Sequence, residues 1–138
     1  MAVGFSYKYY FVKVGMGDFL HSFFSTIAYR LENGDWGSKY PYLMRGLYWG
    51  KLEWRDIKFA RSELKKVQTE LKKLPRDQVI WDFDDLSMQP PWGDNISEDV
   101  TDMSNYYVTS DGQDLITVIF RVFDEAERMR ESIEIQSL

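Results

Sequence analysis

Closely spaced carboxylates behind an apolar run are the residues best placed to do chemistry in this chain. Val79-Ile80-Trp81 leads into Asp82-Phe83-Asp84-Asp85. A strand ending in Asp-x-Asp can present two hard oxygen ligands to Mg²⁺. A few residues on, Pro90-Pro91-Trp92-Gly93-Asp94 sets two backbone-fixing prolines beside a large flat side chain and a permissive glycine. The same residues also suit a surface for a basic protein. On that reading Asp84, Asp85, Trp92, Asp94, Glu98, Asp99 and Asp102 bind the partner, with Trp supplying buried area and the acids steering encounter. Trp92 either faces such a partner or folds back as a lid on the core, and the sequence leaves both open.

The Asp82-x-Asp84 pattern resembles the first motif of haloacid-dehalogenase-type phosphatases, so a magnesium-dependent phosphohydrolase using Asp82 and Asp84 is the alternative function. The chain departs from that motif. Asp85-Leu86 stands where the motif has Gly-Thr, and no Lys follows Leu86. Other catalytic sets are poorly supplied. With no cysteine, thiolate nucleophiles, disulfides and Cys-ligated zinc are excluded. His21 is the only histidine, which rules out multi-histidine metal sites within one chain. Flanked by Phe19-Leu20 and Phe23-Phe24, it is expected at a helix surface or core edge with one hydrogen bond. Gly15-Met16-Gly17 precedes a helix but is followed by Asp18, which opposes a bound phosphate. The sequence therefore predicts no catalytic residue, no metal ligand set and no cofactor, and the chain reads as non-enzymatic.

Charge is strongly segregated. Residues 1–76 carry 14 Lys+Arg against 7 Asp+Glu, and residues 77–138 carry 3 Arg against 15 Asp+Glu, within a formal net charge of −5. Wherever the second half meets solvent its field repels nucleic acid and attracts a basic protein. The cations on the helix over 56–74 (Lys58, Arg61, Lys65, Lys66, Lys72, Lys73) are interspersed with Glu63 and Glu70, as on a solvated helix face. No apolar run approaches a membrane span, and the first residues lack the basic region of a secretory signal, so a cytoplasmic protein without membrane contact is expected.

A single domain over 1–138 is expected from the length. The aromatic content of 17% points mainly to an aromatic core, with a few Trp and Tyr left for an interface. Residues 3–14 predict one strand, ended by Gly15 and Gly17. Asp18 is then the expected N-cap of a helix whose stripe of Leu20, Phe23, Phe24, Ile27, Ala28 and Leu31 stops at Asn33-Gly34. A short helix is expected over 40–48. The clearest helix covers 56–74, with Ile57, Ala60, Leu64, Val67, Leu71 and Leu74 in one seam. Val79–Phe83 predicts a strand covered on both faces, residues 87–104 a loop, and 105–109 a third strand. Ser110 and Gln113 read as a capping box for a helix running to about 132, mostly buried over Leu115–Phe123. Residues 132–136 alternate like a short edge strand. This order predicts an α+β fold, a sheet of three to four strands packed with about four helices.

At the motif level the chain resembles the immunity protein 70 family of bacterial polymorphic toxin systems. The resemblance spans most of the chain. It rests on Asp18-Phe-Leu-His-Ser-Phe-Phe-Ser25, Trp36-Gly-Ser-Lys-Tyr-Pro41, Val79-Ile-Trp-Asp82, Gln89-Pro-Pro-Trp-Gly-Asp-Asn-Ile96 and Tyr107-Val-Thr-Ser-Asp-Gly112. It implies a small cytoplasmic protein that binds and neutralises a cognate toxin, with no catalytic residues. Many toxin domains are nucleases with basic substrate grooves, which an acidic inhibitor can occupy stoichiometrically. A homo-oligomer is also left open.

Overall fold

The computed structural model describes residues 2–137. Four antiparallel strands form one sheet in the order β2-β1-β4-β3, with β1 at Ala2–Tyr7, β2 at Tyr10–Met16, β3 at Lys51–Leu52 and β4 at Ile133–Ser137. The helices are α1 (Gly17–Thr26), α2 (Ile57–Leu71) and α3 (Leu115–Met129). A wide π-type turn extends α1 over Ile27–Leu31, and a π-helical segment covers Tyr42–Leu47. The α+β class and the strand count agree with the sequence.

The sheet has one dry face. Phe5, Tyr7, Val14, Leu52 and Ile133 are buried in the same core as the helices. On the other face Ser6 opposes Glu134, which in turn opposes Lys51, the alternation of an antiparallel sheet wet on one side. The α2 seam is buried as its periodicity predicts: Ile57, Ala60, Leu64, Val67 and Leu71 are all inaccessible. So are most apolar side chains in the first half of α3, with Phe120 half-buried. Arg61 joins the two helices by donating to Asp124 at 3.1 Å and Glu127 at 2.8 Å.

Several elements differ from the sequence expectation. The predicted single strand over 3–14 is a hairpin, turning at Lys8 with φ 57°. Tyr7 and Tyr10 are register partners and stack at 5.6 Å. Residues 132–136 do form a strand, but an inner one, because two-residue β3 takes the edge position. Asp18 lies in the first turn of α1, whose N-cap is Met16. There its charge still suits the helix dipole. The capping box at Ser110 and Gln113 is not formed. The N-cap of α3 is Asp114, which accepts from the Thr117 backbone at 3.0 Å and its hydroxyl at 2.8 Å. That helix stops at Met129, with Arg130 left-handed at φ 56°. Residues 105–109 contribute only the bridge Val108↔Asp114.

Gly4 sits in the middle of the sheet, where the β1–β2 register shifts. A Cβ there would lie 2.4 Å from the Val12 carbonyl oxygen and 2.9 Å from the Lys13 Cα. Those are backbone atoms of a paired strand and cannot swing away. Gly4→Ala is expected to destabilise by at least about 2 kcal/mol, above the ordinary range for surface changes, measured by urea unfolding. Gly50→Ala, with nothing near its would-be Cβ, serves as the neutral control.

Candidate functional site

The segment predicted as a strand over Val79–Phe83 joins no sheet, bending at Trp81 and entering a turn at Phe83. Its backbone is bonded instead by hydroxyls on α1. Ser22 Oγ donates to the Ile80 carbonyl at 2.8 Å, and the Ile80 N–H donates to Thr26 Oγ1 at 2.9 Å. The Phe83 N–H donates to Ser25 Oγ at 3.0 Å. Ser22, Ser25 and Thr26 are all buried and are spaced three and four residues apart, so they form one polar stripe on the helix. Tyr107 Oη completes the network, 3.0 Å from Ser22 Oγ and 2.8 Å from Thr26 Oγ1. Burial raises the Tyr107 pKa, so it stays a hydroxyl. The expected cover on both faces is not complete: Trp81 is buried, while Val79, Ile80 and Phe83 are half-buried.

Hung in this way, the segment brings Asp82 and Asp84 to His21. His21 Nε2 lies 3.2 Å from Asp82 Oδ1 and 3.8 Å from Asp84 Oδ2. Asp82 Oδ1 also accepts the Asp84 N–H at 2.9 Å, closing a tight turn. His21 Nδ1 is 2.7 Å from Tyr48 Oη, so the histidine makes two side-chain hydrogen bonds where one was expected. Burial first, then the charges of Asp84, Asp18 and Asp82, push the Tyr48 pKa up to about 12. With neutral His21, Tyr48 donates to Nδ1 and Nε2–H donates to Asp82. An aromatic wall backs the group. Trp36 lies 6.2 Å from the His21 ring, Phe83 meets Trp36 edge-on at 5.2 Å, and Trp49 stacks on Trp36 at 5.7 Å and 7°. Trp49 is 60% exposed. The loop that carries Trp36 is fixed by buried Glu32, which accepts backbone N–H groups from Gly37, Lys39 and Tyr40 at 2.9–3.0 Å.

The convergence of Asp82 and Asp84 does not revive the phosphohydrolase alternative. That motif also needs Gly-Thr after its second Asp and a later Lys, and the chain has Asp85-Leu86 there and no Lys after Leu86.

Of the two arrangements open for Trp92, the structure shows the inward one. Its ring packs edge-on against Phe19 at 5.2 Å and Trp81 at 5.4 Å, and Nε1 donates to Tyr106 Oη at 2.9 Å. Trp92 is half-buried and staples the loop to the core. Asp102 is also half-buried. Burial alone would raise its pKa, but hydrogen bonds from the Ser104 side chain, the Ser104 backbone and Thr101 outweigh that and hold it low. Asp84, Asp85, Asp94, Glu98 and Asp99 are exposed. The loop that bears the last three is set by Arg76, which donates to the Ser97 and Val100 carbonyls at 3.2 and 3.3 Å, and by Asn105, which donates to the Asp99 carbonyl at 3.0 Å. Asp94 borders a groove of about 400 Å³ that also contains Asp77 and Val79. Asp84 stands apart from it, beside His21.

Sequence reasoning placed His21 at a helix surface or core edge, where it is, but missed its pairing with Tyr48 and Asp82 and the hydroxyl stripe. Only the stripe leaves a local signal, since three small hydroxyls interrupt the buried face of an otherwise apolar helix.

Residues 5–135 match the family model described as Immunity protein 70. No curated protein and no solved structure matches the chain. Among the described residues no helix is long and apolar enough to cross a membrane.

Two outcomes test the site's construction. Thr26→Val keeps the shape but leaves the Ile80 N–H and Tyr107 Oη each short of a partner, and is expected to cost about 1–3 kcal/mol in urea unfolding. Tyr48 governs an alkaline transition. Burial and the nearby carboxylates push its folded pKa up to about 12, above the ordinary tyrosine value of about 10, so its contribution is whole below pH 10 and is lost as pH rises toward 12. Tyr7, also raised to about 12 by burial and by Glu125, adds to the same loss. Tyr48→Phe is expected to flatten the fall of stability over that window, followed by denaturation at fixed pH steps.

Proposed function

The chain belongs to the immunity protein 70 family, and from that premise we propose that it neutralises a cognate toxin protein by stoichiometric binding. The toxin surface it fits is basic, such as the substrate groove of a nuclease domain, and blocking that groove is the mechanism. The partner-facing residues are Asp84, Asp85, Asp94, Glu98 and Asp99. Trp92 and Asp102 contribute by holding the loop in shape rather than by inserting into the toxin. Binding in the cytoplasm, where a producing cell meets its own toxin, is part of the same reading.

The observation that carries this reading is the state of the acids. None of the ion pairs among the described residues involves Asp85, Asp94, Glu98 or Asp99. Yet the loop bearing Asp94, Glu98 and Asp99 is tied to the core by an aromatic clamp and by Arg76. A rigid backbone presenting unneutralised carboxylates loses little conformational entropy on docking and attracts cations from a distance. A phosphohydrolase is not supported by these features, and no second function has an observation in its favour.

The test leaves Asp84 intact. The quadruple variant Asp85→Lys, Asp94→Lys, Glu98→Lys, Asp99→Lys is expected to slow association with the cognate toxin by about tenfold or more at low salt. The wild-type on-rate should fall steeply with added salt. Stopped-flow association and protection of toxin-expressing cells are the readouts. A folded quadruple variant that still protects fully would remove this interface.

A further inference from the structure

We propose that His21, Asp82 and Asp84 bind a divalent transition-metal ion of the Zn²⁺ type. The site shares Asp84 with the proposed toxin surface but does not depend on toxin binding, and it requires no catalysis. One ligand atom from each residue lies within 4.8 Å of the other two. Nε2 of His21 stands 3.2 Å from Asp82 Oδ1 and 3.8 Å from Asp84 Oδ2. Atoms bound to Zn²⁺ at about 2.0–2.2 Å in a tetrahedron lie roughly 3.4 Å apart, so His21 and Asp82 already stand at close to the spacing of two ligands on one ion. Only Asp84 needs to adjust, and its side chain is 82% exposed and free to do so.

The support for these ligands is built into the fold. His21 lies on α1 beside the hydroxyls that hold the 80–83 backbone, so the imidazole and the Asp82 carboxylate are held to one another without relying on the metal. Tyr48 Oη sits 2.7 Å from Nδ1. With the ion on Nε2, Nδ1 carries the proton and donates it to Tyr48, the outer hydrogen bond that orients a ligating histidine. Trp36 and Tyr48 hold the ring from two sides, at 6.2 and 5.8 Å between centroids. Within the ion pairs of the described residues, Asp82 and Asp84 meet His21 and no Lys or Arg. The two carboxylates therefore offer a net charge of the sign a dication needs. One imidazole with two carboxylates favours Zn²⁺ or Mn²⁺ over Mg²⁺, which prefers an all-oxygen, water-rich shell. The exposed side leaves a fourth position for water.

His21 is the sole histidine, which makes the test unambiguous. Chelator-treated full-length protein is titrated with Zn²⁺ and followed by calorimetry and by the ¹⁵N resonances of the one imidazole. One equivalent should bind, with the Nε2 resonance shifting and Nδ1 remaining protonated. Asp84→Asn, at an exposed position, should keep the fold and weaken binding at least about tenfold. Asp85→Asn, which removes the adjacent acid, should bind as wild type. Mg²⁺ at the same concentration should not move the imidazole signals. No saturable binding, or binding that leaves the imidazole unshifted, would overturn the site. So would equal weakening by Asp84→Asn and Asp85→Asn, which marks a diffuse acidic surface. None of these results bears on toxin association through Asp85, Asp94, Glu98 and Asp99.

Discussion

The acidic half of the molecule hangs on a few hydroxyls. Ser22, Ser25 and Thr26 stand on the buried face of α1 and supply the hydrogen bonds that a neighbouring strand would otherwise give to Ile80 and Phe83. Buried backbone groups need partners, and leaving one unmade costs about 1–3 kcal/mol. Three side chains spaced for one helix face meet that need and fix the depth and rotation of the segment at once. From this anchor the side chains divide. Trp81 turns inward at 7% exposure, Phe83 meets Trp36, and Asp82 and Asp84 turn toward His21.

The aromatic richness then has a mechanical explanation. One cluster, formed by Phe19, Trp81, Trp92, Tyr106 and Tyr107, closes the loop after the segment. A second, formed by Trp36, Tyr48, Trp49 and Phe83, walls the histidine. Each well-placed ring pair adds about 0.5–1.5 kcal/mol beyond its burial. Two exposed like charges even about 4 Å apart in water repel by only about 1 kcal/mol, and salt reduces this further. A handful of ring contacts, with Arg76 on its carbonyls, therefore suffices to keep an acidic loop folded without ion pairs to its exposed carboxylates.

What the sequence made legible was whatever is periodic. The seam of α2 and the apolar half of α3 follow from side-chain spacing alone, and the first is buried and the second mostly so, as expected. The hairpin was hidden because Lys8-Tyr9 carries none of the Gly or Asn that marks a two-residue turn. β3, two residues long, has no pattern to read. Val79–Phe83 misled for a physical reason, since an apolar segment packed on the core has the same composition whether strands or side chains bond its backbone. His21 and Asp82 are 61 positions apart, and no local spacing connects them. Trp92 was ambiguous because a Trp on a rigid turn serves equally well as an anchor outward or a staple inward. The choice depends on Tyr106, whose hydroxyl the indole reaches.

The disposition of the basic residues bears most directly on what the acidic surface is for. A chain with 17 Lys and Arg has enough cations to pair its exposed carboxylates if stability alone had shaped it. Arg61 does pair, with Asp124 and Glu127 between helices. Arg76 lies close to the acidic loop yet donates to the carbonyls of Ser97 and Val100. It thus stiffens the backbone that displays Asp94, Glu98 and Asp99 and leaves the carboxylates themselves open. Surface ion pairs are worth about 0–1 kcal/mol, so forgoing them costs the fold little. Unpaired carboxylates held in a fixed arrangement, by contrast, can raise the encounter rate of a protein with a cationic partner by orders of magnitude. That balance favours a surface for binding over one that merely solvates the fold.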